Sequence, residues 1–211
     1  MVAPLGGNQL KGSSYLFSSF LRRVEMDPGF CEPARQAAMT RHELLDVFRA
    51  DDGSDPMPAL DLHLAQARAY GEDMLSLGLS PRSIVDSARA SARPLEALLT
   101  QLDRIGGYKE DPLRKKSGLL ALILCQRPEG FLSFSPDEQV APVIDYHLMR
   151  SCLRTGLVEV REPGLASALA ARTTVDAGEE WAVRAAAWDA IAAVTTASGK
   201  STGAVDWFFF G

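Results

Sequence analysis

Cysteine is scarce in this chain of 211 residues, and the spacing of the few cysteines excludes several kinds of site. Only Cys31, Cys125 and Cys152 are present, an odd number at wide intervals. They form no CxxC pair, no cysteine zinc site and no framework of disulfides. Because unpaired thiols suit a reducing compartment, the sequence predicts a cytoplasmic protein.

Long apolar runs and a signal peptide are also missing. The apolar stretch GLLALILC (118–125) is far shorter than the roughly 20 residues that cross a membrane, and it indicates a core helix instead. The first 14 residues contain no basic segment followed by an apolar one, so secretion is not expected. We therefore expect no membrane partner.

A surplus of positive charge is absent as well. The net charge is −5 at pH 7, whereas proteins that bind a long nucleic-acid backbone are usually basic. Any nucleic-acid contact must then come from a local patch of cations. The chain also contains neither a complete phosphate-binding loop nor a GxSxG nucleophile motif, which argues against nucleotide triphosphate and serine hydrolase chemistry.

Histidine is too rare to favour a metal site. His42, His63 and His147 are all the histidines of the chain. Asp61 and Asp145 each precede one of them by two residues, but residues two apart on a helix point to different faces. The sequence therefore predicts no metal and no cofactor.

What the chain has in abundance is helical periodicity. Apolar residues recur at three- and four-residue intervals, and Ser80–Pro81 and Asp111–Pro112 are typical of helix starts. The one candidate strand, GLVEVRE (156–162), is short. We predict an all-α protein of eight to ten helices in two lobes. Residues 1–14 would form a flexible arm, and 15–211 a single helical domain.

A lysine pair and an aspartate are the best candidates for chemistry. Lys115 and Lys116 precede the apolar helix, and Asp145 lies in APVIDYHLMR (141–150), a helix predicted to begin at Pro142 and to stop at Gly156. A lysine near apolar walls and positive helix ends becomes a nucleophile as its pKa falls. An aspartate at a helix start can stabilise a developing cation. In the alternative interpretation, the lysines only solvate a helix start and Asp145 is only a cap.

The order of these segments resembles a known family. GGYKEDPLRKKSGLLALIL followed by APVIDYHLMRSCLRTGL is similar to the core of the helix-hairpin-helix DNA glycosylases, and within them to the archaeal 8-oxoguanine branch. There a hairpin leads to a catalytic lysine, and a later segment supplies a catalytic aspartate. The queuosine-salvage nucleosidases share this fold. The resemblance covers about residues 104–158, with IGGYKEDPLRKK in place of the usual Leu-Pro-Gly-Val-Gly hairpin.

The resemblance implies a role for each candidate residue. Asp145 would stabilise the sugar cation, while Lys116, or Lys115 in its place, would attack C1′ and form a Schiff base, with possible lyase activity. A flipped-out base needs aromatic or apolar faces on both sides, for which the candidates are Tyr146, His147, Tyr108, Trp181 and Trp207. Phosphate contacts would come from the hairpin and nearby cations, namely Gly106, Gly107, Lys109, Arg114, Arg150 and Arg154.

The expected function is therefore excision of a modified or damaged base from DNA by a monomeric N-glycosylase. A nucleosidase or nucleotide hydrolase that uses Asp145 and water is the first alternative, and the acidic net charge favours it. A helical interaction module without catalysis is the second.

Overall fold

The structure, a computed structural model, describes residues 1–210 and is mainly helical, which confirms the all-α prediction. These residues form one two-stranded hairpin and eleven α-helices. The elements are β1 (Val2–Leu5), β2 (Asn8–Lys11), α1 (Gly12–Met26), α2 (Pro33–Ala37), α3 (Arg41–Phe48), α4 (Leu60–Ser76), α5 (Pro81–Arg89), α6 (Pro94–Leu102), α7 (Lys115–Gln126), α8 (Tyr146–Thr155), α9 (Pro163–Ala171), α10 (Ala177–Ser198) and α11 (Thr202–Phe210).

The chain divides into two compact units. Unit 1 contains Met1–Ile84 and Arg104–Glu110, and unit 2 contains Val85–Asp103 and the residues from Asp111 onward. Unit 1 is built on α1 to α4 around a core that includes Phe30, Val47 and Leu64. Thr40 begins α3 with a capping box, in which its hydroxyl accepts from the N–H of Glu43 while the Glu43 carboxylate accepts from the N–H of Thr40.

The first residues form a hairpin where the sequence suggested a flexible arm. Strands β1 and β2 pair antiparallel, and Gly6 and Gly7 both adopt positive φ at the turn between them. Ala3 and Leu5 are buried against Tyr15 and Ala50. Gly6 and Gly7 thus provide a tight turn, because glycine adopts positive φ without steric cost.

Helices α2 and α4 approach each other so closely that only glycine fits at the contact. A Cβ on Gly71 would lie 2.2 Å from the backbone N of Ala37 and 2.5 Å from the carbonyl O of Pro33. Both neighbours are backbone atoms, which cannot move aside as a flexible side chain can.

Replacing this glycine should therefore destabilise the protein. Gly71→Ala gains up to about 1 kcal/mol of helix propensity, but the overlap should cost more, for a net loss of at least about 2 kcal/mol. Gly203 in α11 is the matched control, because a Cβ there meets nothing closer than 3.5 Å. Urea denaturation measures both variants, and equal stability of Gly71→Ala and Gly203→Ala would contradict the packing.

Unit 2 is built on α6 to α11. Helices α8, α10 and α11 pack together around a core that includes Ile144, Cys152, Ile191 and Val205. Helix α10 begins at a capping box between Asp176 and Glu179 and ends at Gly199, which adopts φ +64°.

Two predicted helix starts lie too early in the chain. Helix α8 begins at Tyr146, not at Pro142, because residues 140–144 lie outside any helix and Asp145, whose backbone is extended, provides the cap. Helix α7 begins at Lys115, not at Pro112, because Asp111 accepts a hydrogen bond from the backbone N–H of Lys115, 2.9 Å away. The predicted end of α8 at Gly156 is confirmed, and this glycine has φ +74°. In the described chain, residues 156–162 form no strand.

No helix within residues 1–210 combines the length and the apolar character that a membrane crossing requires.

Candidate functional site

Asp145 uses only one of its two carboxylate oxygens to cap α8. Its Oδ1 accepts from the backbone N–H groups of His147 (2.8 Å) and Leu148 (3.0 Å). Its other oxygen, Oδ2, accepts no hydrogen bond from any donor among residues 1–210. Asp145 is thus a cap and also presents one oxygen that the cap leaves unused.

Burial of the segment before it fixes the position of Asp145. Pro142, Val143 and Ile144 are buried, and Ile144 belongs to the core of unit 2. Gly118 of α7 packs on this segment: a Cβ there would lie 3.2 Å from Val140 Cγ1 and 3.3 Å from Val143 Cγ2. The helix that carries the two candidate lysines at its start therefore contacts the segment that leads to Asp145.

A second carboxylate, Asp206 of α11, lies beside this segment. Its Oδ2 accepts from the N–H of Val143 at 3.3 Å, whereas its Oδ1 is buried and has no hydrogen-bond partner in the described chain. Burial raises the pKa of Asp206 to about 6, and the negative charge of Asp145 also raises it. Two aspartates thus interact at the start of α8, and one of them is held partly protonated near pH 6.

Three side chains on the first turns of α8 form a stack next to Asp145. The rings of Tyr146 and His147 lie 3.9 Å apart between centroids, and the Arg150 guanidinium lies 5.9 Å from the Tyr146 centroid. Arg150 Nη2 lies 2.8 Å from His147 Nδ1, within hydrogen-bond distance, so the guanidinium also contacts the imidazole. Tyr146 is 64% exposed, so most of its side chain remains accessible to a ligand.

The candidate residues of the glycine hairpin lie in unit 1, where carboxylates already bind their donors. The N–H of Gly106 and the ammonium of Lys109 both donate to Asp73 Oδ2, at 2.7 and 2.6 Å. The N–H of Gly107 donates to Glu110 at 2.8 Å. The hydrogen bond from Lys109 lowers the pKa of Asp73. A phosphate at this hairpin would have to displace these carboxylates.

The remaining cationic candidates of unit 2 differ in their partners. Arg114 forms a salt bridge with Asp103. Lys115 is half-buried and Lys116 is exposed at the first turn of α7, whose N-terminus is held by Asp111 and its partner Arg184. Arg150 and Arg154 are both exposed and both line a groove next to α9.

The other aromatic candidates occupy separate positions. Trp207 is 78% exposed and follows Asp206 directly on α11, so it lies at the same end of the chain as the second carboxylate. Trp181 is 41% exposed near the start of α10. Tyr108 belongs to unit 1, where burial raises the pKa of its hydroxyl.

Within residues 1–210, no group of three His, Cys, Asp or Glu side chains lies close enough together to hold a metal ion.

Asp206 is the residue that sequence reasoning missed. It stands between Val205 and Trp207 in the apolar stretch VDWFFF. A single carboxylate in such a stretch indicates a buried acid, because the flanking residues draw it out of water. Its proximity to Asp145 depends on the packing of α11 on α8, which no local pattern predicts.

Comparison with known proteins gives no independent guide to the family, since no protein-family model matches the chain and the search of curated proteins found no significant match.

Proposed function

We propose that the protein is an N-glycosidase that releases a modified or damaged base, with Asp145 as the carboxylate that stabilises the sugar cation. The observation that carries this proposal is the difference between the two carboxylate oxygens of Asp145. One oxygen is held by two backbone N–H groups, and the other has no partner in the described chain. Such a carboxylate is oriented before substrate arrives, which is the condition for strong electrostatic stabilisation of a developing positive charge.

The surroundings of Asp145 support this assignment. The exposed ring of Tyr146 follows it directly and offers a surface on which a base can stack. Arg150 lies over that ring, and Arg150 and Arg154 are exposed cations on the same helix that can contact phosphate. These features favour DNA with a modified base as the substrate.

A free nucleoside or nucleotide is the second candidate substrate, and two salt bridges favour it. Lys109 is paired with Asp73, and Arg114 with Asp103. Together with the net charge of −5, these pairs reduce the positive surface that a DNA strand would need. In this case water would be the nucleophile, and Asp145 would assist its attack.

A trapping experiment tests the proposal and separates its forms. The protein is incubated with oligonucleotides that carry oxidised, alkylated or deaminated bases, and with the matching nucleosides, in the presence of borohydride. If Lys116 attacks C1′, borohydride reduces the resulting imine and fixes the protein to DNA. We expect Lys116→Ala to abolish this adduct and Lys115→Ala, its neighbour on α7, to retain it.

Each other outcome has a definite meaning. Loss of the adduct only in Lys115→Ala would identify Lys115, and not Lys116, as the nucleophile. Base release from DNA without an adduct would assign the attack to water, and release from nucleosides alone would assign the second substrate. No release from any of these substrates would refute the N-glycosidase proposal.

A further inference from the structure

A groove between α8 and α9 in unit 2 combines an apolar floor with a cationic rim. Its volume is about 900 Å³, within the range of small-molecule sites. Leu153, Val158 and Leu169 line it and are half-buried. Arg150, Arg154 and Arg172 also line it, and all three are exposed.

None of these three arginines has a carboxylate partner in the described chain, unlike four other arginines of unit 2. Arg93, Arg114, Arg127 and Arg184 each form a salt bridge. In contrast, no salt bridge joins Arg150, Arg154 or Arg172 to an acid anywhere in residues 1–210. Three guanidinium groups around one recess repel each other and create a local positive potential in an acidic protein, which attracts an anion.

One acid does line the groove, but it does not neutralise the rim. Glu159 is exposed and lies 3.9 Å from Arg161, the outer limit of an ion pair, and Arg161 does not line the groove. The net charge of the lining is therefore positive, with three arginines against one glutamate.

The apolar floor indicates that the anion carries a hydrophobic body. Helix α9, PGLASALAA, is almost entirely apolar, yet none of its residues is fully buried. Apolar surface of this kind gains free energy when a ligand covers it. Inorganic phosphate alone would leave it exposed to water.

We propose that this groove binds a small soluble phosphate monoester with an aromatic or aliphatic body, and that Arg172 is one of its phosphate-binding residues. A carboxylate has two oxygens and is satisfied by one bidentate arginine, whereas a phosphate monoester offers three terminal oxygens and close to two negative charges. Three arginines match the monoester. Arg150 and Arg154 are shared with the phosphate contacts proposed above for DNA, whereas Arg172 is not, so Arg172 tests this site separately from catalysis at Asp145.

Arg172 allows a variant that removes the charge and keeps the fold. It ends α9 in the left-handed conformation, with φ +58°. Asparagine tolerates this conformation better than most residues, so Arg172→Asn should fold normally. Arg161→Asn is the matched control, because Arg161 is an exposed arginine outside the groove lining.

Binding of phenyl phosphate, measured by calorimetry or NMR titration without turnover, tests the proposal. We expect tighter binding than for inorganic phosphate or benzoate, a loss of about tenfold or more in Arg172→Asn, and no change in Arg161→Asn. Glu159→Gln should tighten binding, since it removes the one negative charge of the lining.

Three results would overturn the proposal. Equal affinity for phenyl phosphate and inorganic phosphate would remove the role of the apolar floor, and equal affinity for benzoate would remove the selectivity for phosphate. Unchanged binding in Arg172→Asn would place the ligand elsewhere. Binding to phosphatidic acid vesicles that phenyl phosphate does not displace would assign the surface to a lipid headgroup instead.

Discussion

Asp145→Asn should reduce base release by about three orders of magnitude while leaving the fold intact. Asparagine caps helices about as well as aspartate, and its side-chain oxygen can accept the same two hydrogen bonds from His147 and Leu148. What the substitution removes is the negative charge on the oxygen that the cap does not use. Loss of one preorganised electrostatic contact to a transition state costs about 10²- to 10³-fold, and a full charge costs more.

A second capping aspartate provides the control for this experiment. Asp176 caps α10 in the same way, through a hydrogen bond from the N–H of Glu179. Asp176→Asn should therefore match Asp145→Asn in stability, within about 1 kcal/mol, and should keep full activity. The measurement is single-turnover base release on the best substrate, with thermal denaturation of both variants. Full activity of Asp145→Asn would reduce this residue to a helix cap.

The position of Asp145 at a helix start could be predicted from the sequence, but its chemical surroundings could not. A short polar residue before YHLMR and a glycine after Thr155 are local signals, and the structure confirms Gly156 as the end of α8. Pro142 misled the prediction of the start, because proline also occurs in extended segments that precede a cap. Here it is buried with Val143 and Ile144, so the segment is held by tertiary packing.

The acidic partners of the predicted cations also could not be predicted from the sequence. Lys109 and Asp73 are 36 residues apart and meet because Gly106 packs directly on Ala69 of α4. Arg114 pairs with Asp103, 11 residues away. A pattern of basic residues indicates charge, but only the packing of helices determines whether an acid neutralises it.

The groove between α8 and α9 could likewise be predicted only in part from the sequence. Arg150 and Arg154 could be predicted as a pair from the sequence, because they lie four residues apart and thus on one face of α8. Arg172 could not be predicted with them, because it is 18 residues beyond Arg154 and follows a different helix. Its place in the same groove depends on how α9 lies against α8.

Asp206→Asn should change the pH dependence of stability by about 2 kcal/mol. Burial holds the pKa of Asp206 at about 6 in the folded protein, against 3.8 for a free aspartate. Since the raised pKa means that the folded state binds the proton more tightly, Asp206 contributes stability that is fully present below about pH 4 and lost as the pH rises to about 6. Two pKa units correspond to about 3 kcal/mol, and partial exposure of the residue reduces this value.

Comparison across pH isolates the effect of this one carboxyl. Asparagine cannot ionise, so the stability of Asp206→Asn relative to the wild type should increase by about 2 kcal/mol between pH 4 and pH 7. Any loss of stability from burial of the asparagine amide is the same at every pH. It therefore does not affect the change in relative stability with pH. Urea denaturation from pH 4 to pH 8 measures this change in relative stability, and a difference independent of pH would show that Asp206 ionises freely in the folded protein.

Because the charge of Asp145 contributes to the raised pKa of Asp206, Asp145→Asn should lower the pKa of Asp206. An NMR titration of Asp206 in this variant tests whether the two carboxylates act on each other.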